Sequence, residues 1–446
     1  MICNRMLLRS AFVSLCMAAA PYLHVTAQGP ATTSSAPVSN DDTSPPLRWW
    51  KGNTHTHSLW SDGDEFPEMI AAWYVEHDYN FLALSDHNTF SSGIRWMPLK
   101  TIESRAGADA LANYQRRFGS AWVEMRTGKD GEAQEVRLKP LNEFRSLVEQ
   151  SGRFLMIQAE EITDKADTKP VHMNGINLET MIKPLGGATV REVMSNNLRQ
   201  VLEQEKALGR EILPHLNHPN FGYGITTEEL ASILEEKFFE VHNGHPGVNQ
   251  LGDKDHPGID AMWDMANAIR MLHLDAEPLY GIATDDSHNY HGKANGARTG
   301  RGWVQVRSRY LTPDHLIRAM KEGDFYASSG VTLQDVKFDE QRRELVVEVS
   351  AEQGETYTIE FIASLKSAVP ASDTKKAPGE LLTIDPAAVG VTVAEIKGSN
   401  GTYVLTGKEL YVRARITSSA EAADPSWKGQ RKQAWTQPVG WKKAGK

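Results

Sequence analysis

Short apolar runs alternate with stretches of helical periodicity through most of the chain. The segment "EFPEMIAAWYVEHDY" has Pro67 near its start and apolar residues at helical spacing, and it leads into the apolar run "NFLALSDH". Seven strand candidates follow this scheme: "KGNTHTHS", "NFLALSDH", "RFLMIQAEEIT", "VHMNGINL", "EILPHLNHPN", "FFEVHNG" and "LYGIATDDSH". Strands that alternate with helices predict a parallel sheet, here an α/β fold with a (β/α)7 barrel at residues 47–330.

The pattern changes after residue 330. Thr312 as N-cap and Pro313 at the first helical position predict a helix that closes the barrel. The later segments "ELVVEVS", "TYTIEFIAS" and "ELYVRARIT" alternate like half-buried strands. We therefore predict a small C-terminal antiparallel β-sandwich, an accessory domain, at residues 331–446. The stretch from about Thr89 to Arg153 is too long for a simple crossover and is expected to cap the site.

The first 46 residues are expected to lie outside the fold. Arg5 and Arg9 precede the apolar run "SAFVSLCMAAA", and a cleavage pattern of small residues ends at Ala27. Together these features predict a secretory signal peptide at residues 1–27. This run is shorter than the roughly 20 residues of a membrane span, so no stable membrane anchor is expected. Residues 28–46, rich in Ser, Thr and Pro, predict a flexible linker. The protein is thus expected to be exported, to the periplasm or the extracellular space.

Composition and charge narrow the chemistry of the exported chain. Both cysteines, Cys3 and Cys16, lie in the predicted signal peptide, so a metal site must be built from histidine and carboxylate. Without Arg5 and Arg9 the chain keeps 46 basic residues against 57 acidic ones, a net charge of about −11. This acidity disfavours nucleic acid as the partner and favours a small-molecule substrate. The oligomeric state is left open.

Ionisable residues gather at the carboxyl ends of the predicted strands. Thirteen of the fifteen histidines lie between His55 and His291, several of them beside Asp or Glu. In the alternation His55-Thr56-His57 both rings point to the same face of an extended chain. Active sites of parallel sheets and barrels lie at these strand ends. Neutral histidine and carboxylate without thiolate suit Zn, Mn or Fe.

The motifs "HTHSLWSDG", "FLALSDHN", "AEEIT", "VHMNG", "NHPN" and "TDDSH", in this order, resemble the PHP (polymerase and histidinol phosphatase) superfamily of metal-dependent hydrolases. The resemblance covers roughly residues 50–330 and implies a distorted seven-stranded β/α barrel with two or three divalent metal ions. The implied metal ligands are His55, His57, Asp62, His87, Glu161, His172, His218, Asp286 and His288. In this scheme one ion is held by His55, His57 and Asp286, Glu161 bridges to a second with His172 and His218, and Asp62, His87 and His288 hold a third. Glu160, Asp64 and His215 stay open as alternatives to Glu161, Asp62 and His218.

The expected function is a secreted phosphoesterase that attacks its substrate with a metal-bound hydroxide. Asp86, His242 and His245 are candidates for proton transfer, and Arg298 and Arg301 for binding an anionic substrate group.

Two alternatives stay open. The first is a carboxylic ester or carbamate hydrolase of the same superfamily. The second is a non-catalytic, metal-stabilised protein that binds glycan or a partner through Trp427, Trp435 and Trp441, for which core packing is the competing explanation.

Overall fold

A 13-stranded sheet with both parallel and antiparallel pairs dominates the computed structural model. The structure describes residues 44–128, 131, 133–292, 295–369 and 384–442, so the predicted signal peptide and nearly all of the linker lie outside the described residues. Within these ranges no helix is long and apolar enough to cross a membrane.

The strands are β1 (Arg48–Asn53), β2 (Phe81–Leu84), β3 (Arg95–Pro98), β4 (Met125–Thr127), β5 (Gln134–Leu138), β6 (Leu155–Ala166), β7 (Lys169–Ile176), β8 (Leu213–Leu216), β9 (Phe238–Asn243), β10 (Tyr280–Thr284), β11 (Trp303–Ser308), β12 (Phe325–Ser328), β13 (Leu333–Asp339), β14 (Glu344–Val349), β15 (Tyr357–Leu365), β16 (Val391–Lys397), β17 (Asn400–Val404), β18 (Glu409–Glu421) and β19 (Arg431–Thr436). The helices are α1 (Pro67–Glu76), α2 (Leu99–Ala106), α3 (Ala110–Phe118), α4 (Leu141–Val148), α5 (Val190–Leu208), α6 (Thr227–Ser232), α7 (Ile259–His273) and α8 (Pro313–Lys321). The predicted helix caps Thr312 and Pro313 stand at the start of α8, where the Thr312 side chain accepts the His315 N–H.

The order of the large sheet is β10-β9-β8-β7-β6-β2-β1-β11-β12-β19-β18-β15-β16. Its first part contains parallel and antiparallel pairs, so the expectation of a parallel sheet holds only in part. Strand β7 is antiparallel to both β6 and β8. The reason is local: β6 and β7 are joined by a tight turn in which Asp167 has a φ of 55°. A hairpin therefore replaces the expected helical crossover.

One apolar cluster joins the strands from β1 to β12. It contains one or more side chains from each of β1, β2, β6, β7, β8, β9, β10, β11 and β12, among them Trp50, Ala83, Ile157, Ile282 and Val304. Strand pairing ends at β10, where the Gln437 side chain hydrogen-bonds both the N–H and the carbonyl of Gly281. The α/β class with a parallel-rich sheet is confirmed, and closure into a seven-stranded barrel stays a prediction.

The strands expected after residue 330 are antiparallel, as predicted. Strand β19 pairs with β12, so this part continues the large sheet through β18, β15 and β16. Strands β13, β14 and β17 form a second sheet, and Leu345 and Val347 of that sheet share a core with Ile359 and Phe361 of β15. The boundaries 47–330 and 331–446, and a separate sandwich domain, stay predictions.

The segment between β2 and β6 forms an inserted unit, as its length suggested. Strands β3, β4 and β5 make a small antiparallel sheet that packs with α2 and α3 against Leu59, Trp60 and Phe66. Arg105 of α2 donates a hydrogen bond to the Ser61 carbonyl at 2.7 Å. The insertion therefore supports the turn that carries Asp62.

A buried glutamate in this interface predicts a pH-dependent stability. Glu68 accepts hydrogen bonds from Tyr114 (2.6 Å) and Trp122 (3.1 Å), and burial raises its pKa from 4.5 to about 7. Because the folded chain holds this proton more tightly, its stabilising effect is complete below pH 4.5 and is lost as the pH rises through 7. Denaturant unfolding should show Glu68→Gln becoming more stable than the parent by up to about 3 kcal/mol at pH 8. A difference that stays constant between pH 4 and 8 would contradict this assignment.

Candidate metal centre

His55 and His57 follow the end of β1 and are both fully buried. The chain between them stays extended: Thr56 bridges to Ser287, and the His55 carbonyl accepts the Asp286 N–H at 3.0 Å. Both Nε2 atoms lie 3.2 Å from Oδ1 of Asp286. The alternation in the sequence thus places both rings against one carboxylate, as expected for residues on one face of an extended chain.

Glu161 of β6 lies at the centre of the histidines. Its carboxylate oxygens are within 3.5 Å of nitrogens of His55, His57, His87, His172 and His218. The hairpin of β6 and β7 brings His172 to this carboxylate, at 3.0 Å.

Asp62 completes an outer group. Its carboxylate lies 3.4 Å from His288, 3.6 Å from His87 and 3.7 Å from His57. The Asp62 side chain is 55% exposed, whereas Glu161 is fully buried. The site therefore has a dry inner part and an outer part open to water.

The donor set fits divalent cations. Four groups could hold an ion: His57, Asp62, His87 and His288; His55, His218 and Asp286; His55, His57 and Glu161; and Glu161, His172 and His218. Nε2 of His55, Nε2 of His57 and Oε2 of Glu161 are buried, and none has a hydrogen-bond partner within the described ranges. Because leaving buried polar atoms unpaired is costly, an ion between them would satisfy atoms that the protein alone does not.

Electrostatics also favours cations here. Burial opposes charge on His55, but Asp286 and Glu240 outweigh it and raise the pKa of His55 well above its ordinary value. Burial lowers the pKa of His57 to about 3. Burial opposes charge on Glu161 too, yet the surrounding histidines hold its pKa well below the ordinary range. Metal ligation needs neutral rings and ionised carboxylates, so divalent ions would replace the protons that these groups share.

The alternative ligands belong to none of the four groups of described residues that could hold an ion. Glu160, the neighbour of Glu161, accepts the Ile182 N–H at 2.8 Å, while Asp64 accepts the Tyr290 N–H at 2.8 Å. His215 of β8 is buried, and its ring centroid lies 6.5 Å from that of His55. This placement favours Glu161, Asp62 and His218 as ligands.

Two of the proton-transfer candidates are occupied by other contacts. Asp86 is buried and accepts hydrogen bonds from Ser58 and Ser61, so it orders the turn before Asp62. His242 contacts the Arg301 carbonyl at 3.0 Å and stacks on Trp435. Catalytic roles for these two residues stay predictions. Asp86 reaches the donor cluster through its backbone, since its carbonyl accepts the Glu161 N–H at 3.2 Å.

His245 lies beside the cluster, with its ring centroid 5.5 Å from that of His288. Its Nδ1 accepts the Gly247 N–H at 2.9 Å, so the neutral ring carries its hydrogen on Nε2. Burial lowers the pKa of His245 and keeps this neutral form dominant near pH 7.

The two predicted substrate arginines differ in what they can offer. Arg301 is buried and donates to Asp424, Gly244 and Gly296, which occupies its guanidinium. Arg298 is 37% exposed and lies 3.4 Å from Asp424. Arg298 is therefore the better candidate for contact with an anionic substrate.

The tryptophans of the C-terminal part serve packing. Trp435 is 3% exposed and stacks on His242, and Trp427 lies 5.9 Å from the same ring. Trp441 is half-buried and donates to the Pro438 carbonyl. These contacts favour the packing explanation over a glycan-binding platform.

Sequence reasoning missed Glu240. This residue of β9 is fully buried, and its Oε1 lies 2.7 Å from Nδ1 of His55. A glutamate inside the apolar run "FFEVHNG" could have pointed to it, because a buried carboxylate needs partners.

The described residues thus define a histidine and carboxylate centre suited to several divalent cations. No family model and no curated protein matches this chain. A solved two-domain protein from Bacteroides vulgatus, containing a predicted PHP-like metal-dependent phosphoesterase, is similar at 13% identity and a TM-score of 0.36, over 88% of this chain and 96% of the other. A candidate metal-dependent phosphoesterase from Bifidobacterium adolescentis is similar at 14% identity and a TM-score of 0.28, over 62% and 96%.

Proposed function

We propose that this protein is an exported, multinuclear metal-dependent hydrolase that cleaves phosphoric esters of small molecules. The observation that carries the proposal is the convergence of Glu161 and Asp286 on His55 and His57, with buried donor atoms left unpaired in the part of the chain described. Such an arrangement costs stability unless cations fill it. A structural metal site would have no need of the water-exposed outer group around Asp62.

Divalent ions bound here would lower the pKa of a coordinated water and neutralise charge on a phosphoryl group. The chain's own residues would do the rest. Asp62 and Asp286 would hold ions together with the histidines, Arg298 would attract an anionic substrate group, and His245 would donate a hydrogen bond from Nε2. Asp424 would limit that attraction, because it already pairs with Arg298.

The proposal is tested on protein purified without chelator. We expect elemental analysis to find two or three equivalents of Zn, Mn or Fe, and the protein to hydrolyse phosphomonoesters. The same preparation should be assayed with aryl carboxylic esters and carbamates of matched leaving group. Turnover of the carboxylic substrates alone would replace the phosphoesterase by the alternative hydrolase, and metal without any turnover would favour the binding-protein alternative.

The role of His245 predicts a leaving-group effect. His245→Ala should lower kcat for phenyl phosphate by roughly 10²-fold, because a donor to the departing oxygen is lost. The loss should be much smaller for p-nitrophenyl phosphate, whose leaving oxygen needs less stabilisation. His256→Ala is the control, since His256 pairs with Asp253 and stacks on Tyr223. Equal losses on both substrates would exclude this role.

A further inference from the structure

Glu240 is held by four hydrogen-bonding groups in the buried interior. Its Oε1 contacts Nδ1 of His55 at 2.7 Å and accepts the Thr284 hydroxyl at 2.8 Å. Its Oε2 accepts the His218 N–H and the Asn243 side-chain amide, both at 2.8 Å. Every one of these partners can act as a donor, so the ionised carboxylate is fully satisfied.

These contacts converge on a single candidate ion group, the one formed by His55, His218 and Asp286. Glu240 contacts the ring of His55 and the backbone of His218 directly. It reaches Asp286 through Asn243, whose amide also donates to Asp286 Oδ2 at 3.1 Å. The three residues come from three separate stretches of the chain, and Glu240 is the carboxylate that connects them.

We propose that Glu240 is a positioning residue that fixes the tautomer of His55 and makes the His55–His218–Asp286 group the tightest cation site of the centre. The inference rests on the proposed metal centre. Because Glu240 can only accept, His55 must carry its hydrogen on Nδ1, which leaves the Nε2 lone pair directed at Asp286 and Glu161. The ring therefore needs no rearrangement before it binds an ion.

The outer group is anchored less evenly: Nδ1 of His288 donates to the Asp286 carbonyl at 2.9 Å, whereas Nδ1 of His57 has no comparable partner in the part of the chain described. Nδ1 of His57 has only Ser61 Oγ at 3.5 Å and the half-exposed Asp62 at 3.7 Å as polar neighbours among the described residues. Its tautomer is thus less constrained than that of His55, and water competes at Asp62. We expect the outer group to bind a cation more weakly than the Glu240-supported group.

Glu240→Gln separates orientation from packing, because the two side chains have nearly the same shape. The His218 and Asn243 donors cannot become acceptors at those nitrogens, so the glutamine oxygen must face them. The glutamine NH₂ then faces His55 and Thr284, and His55 can accept it only by moving its hydrogen to Nε2. In that tautomer the Nε2 atom cannot bind a metal.

The test titrates chelator-treated protein with Co²⁺, measured by equilibrium dialysis and by the visible absorption of the bound ion. We expect Glu240→Gln to weaken the tightest Co²⁺ equivalent by 10- to 100-fold and to change its spectrum. Glu236→Gln is the matched control: Glu236 is also fully buried, but within the described part of the chain its side chain accepts only the N–H groups of Lys237 and Phe238. This control should bind Co²⁺ like the parent.

Nitrogen-15 NMR of the Zn²⁺-saturated protein supplies a readout that packing alone would not move, because a bound ion keeps the His55 ring neutral. His55 should carry its hydrogen on Nδ1 in the parent and on Nε2 in Glu240→Gln. With Zn²⁺ bound, a parent His55 protonated on Nε2 would overturn the proposal even if the variant did not fold, as would unchanged Co²⁺ binding by the folded variant. A parent that binds neither Co²⁺ nor Zn²⁺ would instead contradict the proposed metal centre.

Discussion

Glu161→Gln is expected to abolish metal-dependent hydrolysis, with a loss of kcat/KM on the order of 10³-fold or more. Glu161 is the fully buried carboxylate within 3.5 Å of five histidines and belongs to two of the four candidate ion groups, so its loss would weaken more than one ion site. Elemental analysis of the purified variant should show fewer bound ions than the parent. Its circular dichroism should remain that of a folded protein, since glutamine keeps the shape of the side chain.

Glu160→Gln provides the matched control for this experiment. Glu160 is the adjacent residue of β6, is equally buried, and has its carboxylate on the Ile182 N–H, away from the histidines. We expect this variant to keep its metal content and activity. Loss of metal with Glu160→Gln and retention with Glu161→Gln would reverse the assignment of the two glutamates.

Arg413→Met is expected to lower the free energy of unfolding by about 3–5 kcal/mol. Arg413 of β18 is fully buried, donates to Asp264 of α7 through Nε (2.9 Å) and Nη2 (2.6 Å), and lies over the Trp263 ring. Methionine would fill much of the space but leave the Asp264 carboxylate buried without its counter-charge. Urea unfolding of the full chain measures the effect. The ion pair of Arg413 and Asp264 joins the C-terminal strands to α7.

Two further variants show whether the loss of stability comes from an unpaired buried charge or from lost packing. Arg415→Met is the control, because Arg415 is 28% exposed and its pairs with Asp260 and Glu360 are partly screened by water. The double variant Arg413→Met with Asp264→Leu should regain much of the stability, since Asp264 no longer carries a charge and Asp260, the other partner of Arg413, keeps its pair with Arg415. If the double variant were as unstable as Arg413→Met, packing would be the cause.

Local sequence patterns predicted elements better than they predicted pairing. The helix start at Thr312 and Pro313 and the α/β class are confirmed, because capping and periodicity depend on residues close in sequence. The expectation of a parallel sheet holds only in part, because the turn at Asp167 joins β6 and β7 in a hairpin and β7 is antiparallel to both of its neighbours. Only seven residues separate the candidates "RFLMIQAEEIT" and "VHMNGINL", too few for a crossover helix, so this length could have indicated the hairpin.

The candidate ligands likewise divide into features that local patterns predicted and features that they did not. The spacing of His55 and His57 determined that both rings share a face, and strand ends indicated where Glu161 and Asp286 would gather. Choosing between Glu160 and Glu161 required the fold, because adjacent residues of a strand point to opposite sides and the sequence does not say which side is inward.

The sequence by itself thus determined the kinds of donor atom available and the strand ends that carry them, since both follow from residue identity and short-range periodicity. Only the tertiary structure decided that Glu240 supports three candidate ligands, that Asp424 occupies Arg301, and that His242 packs on Trp435. Each of these contacts joins residues brought together by strand order and register. Such contacts depend on how the whole sheet is assembled, and short-range sequence patterns do not determine that assembly.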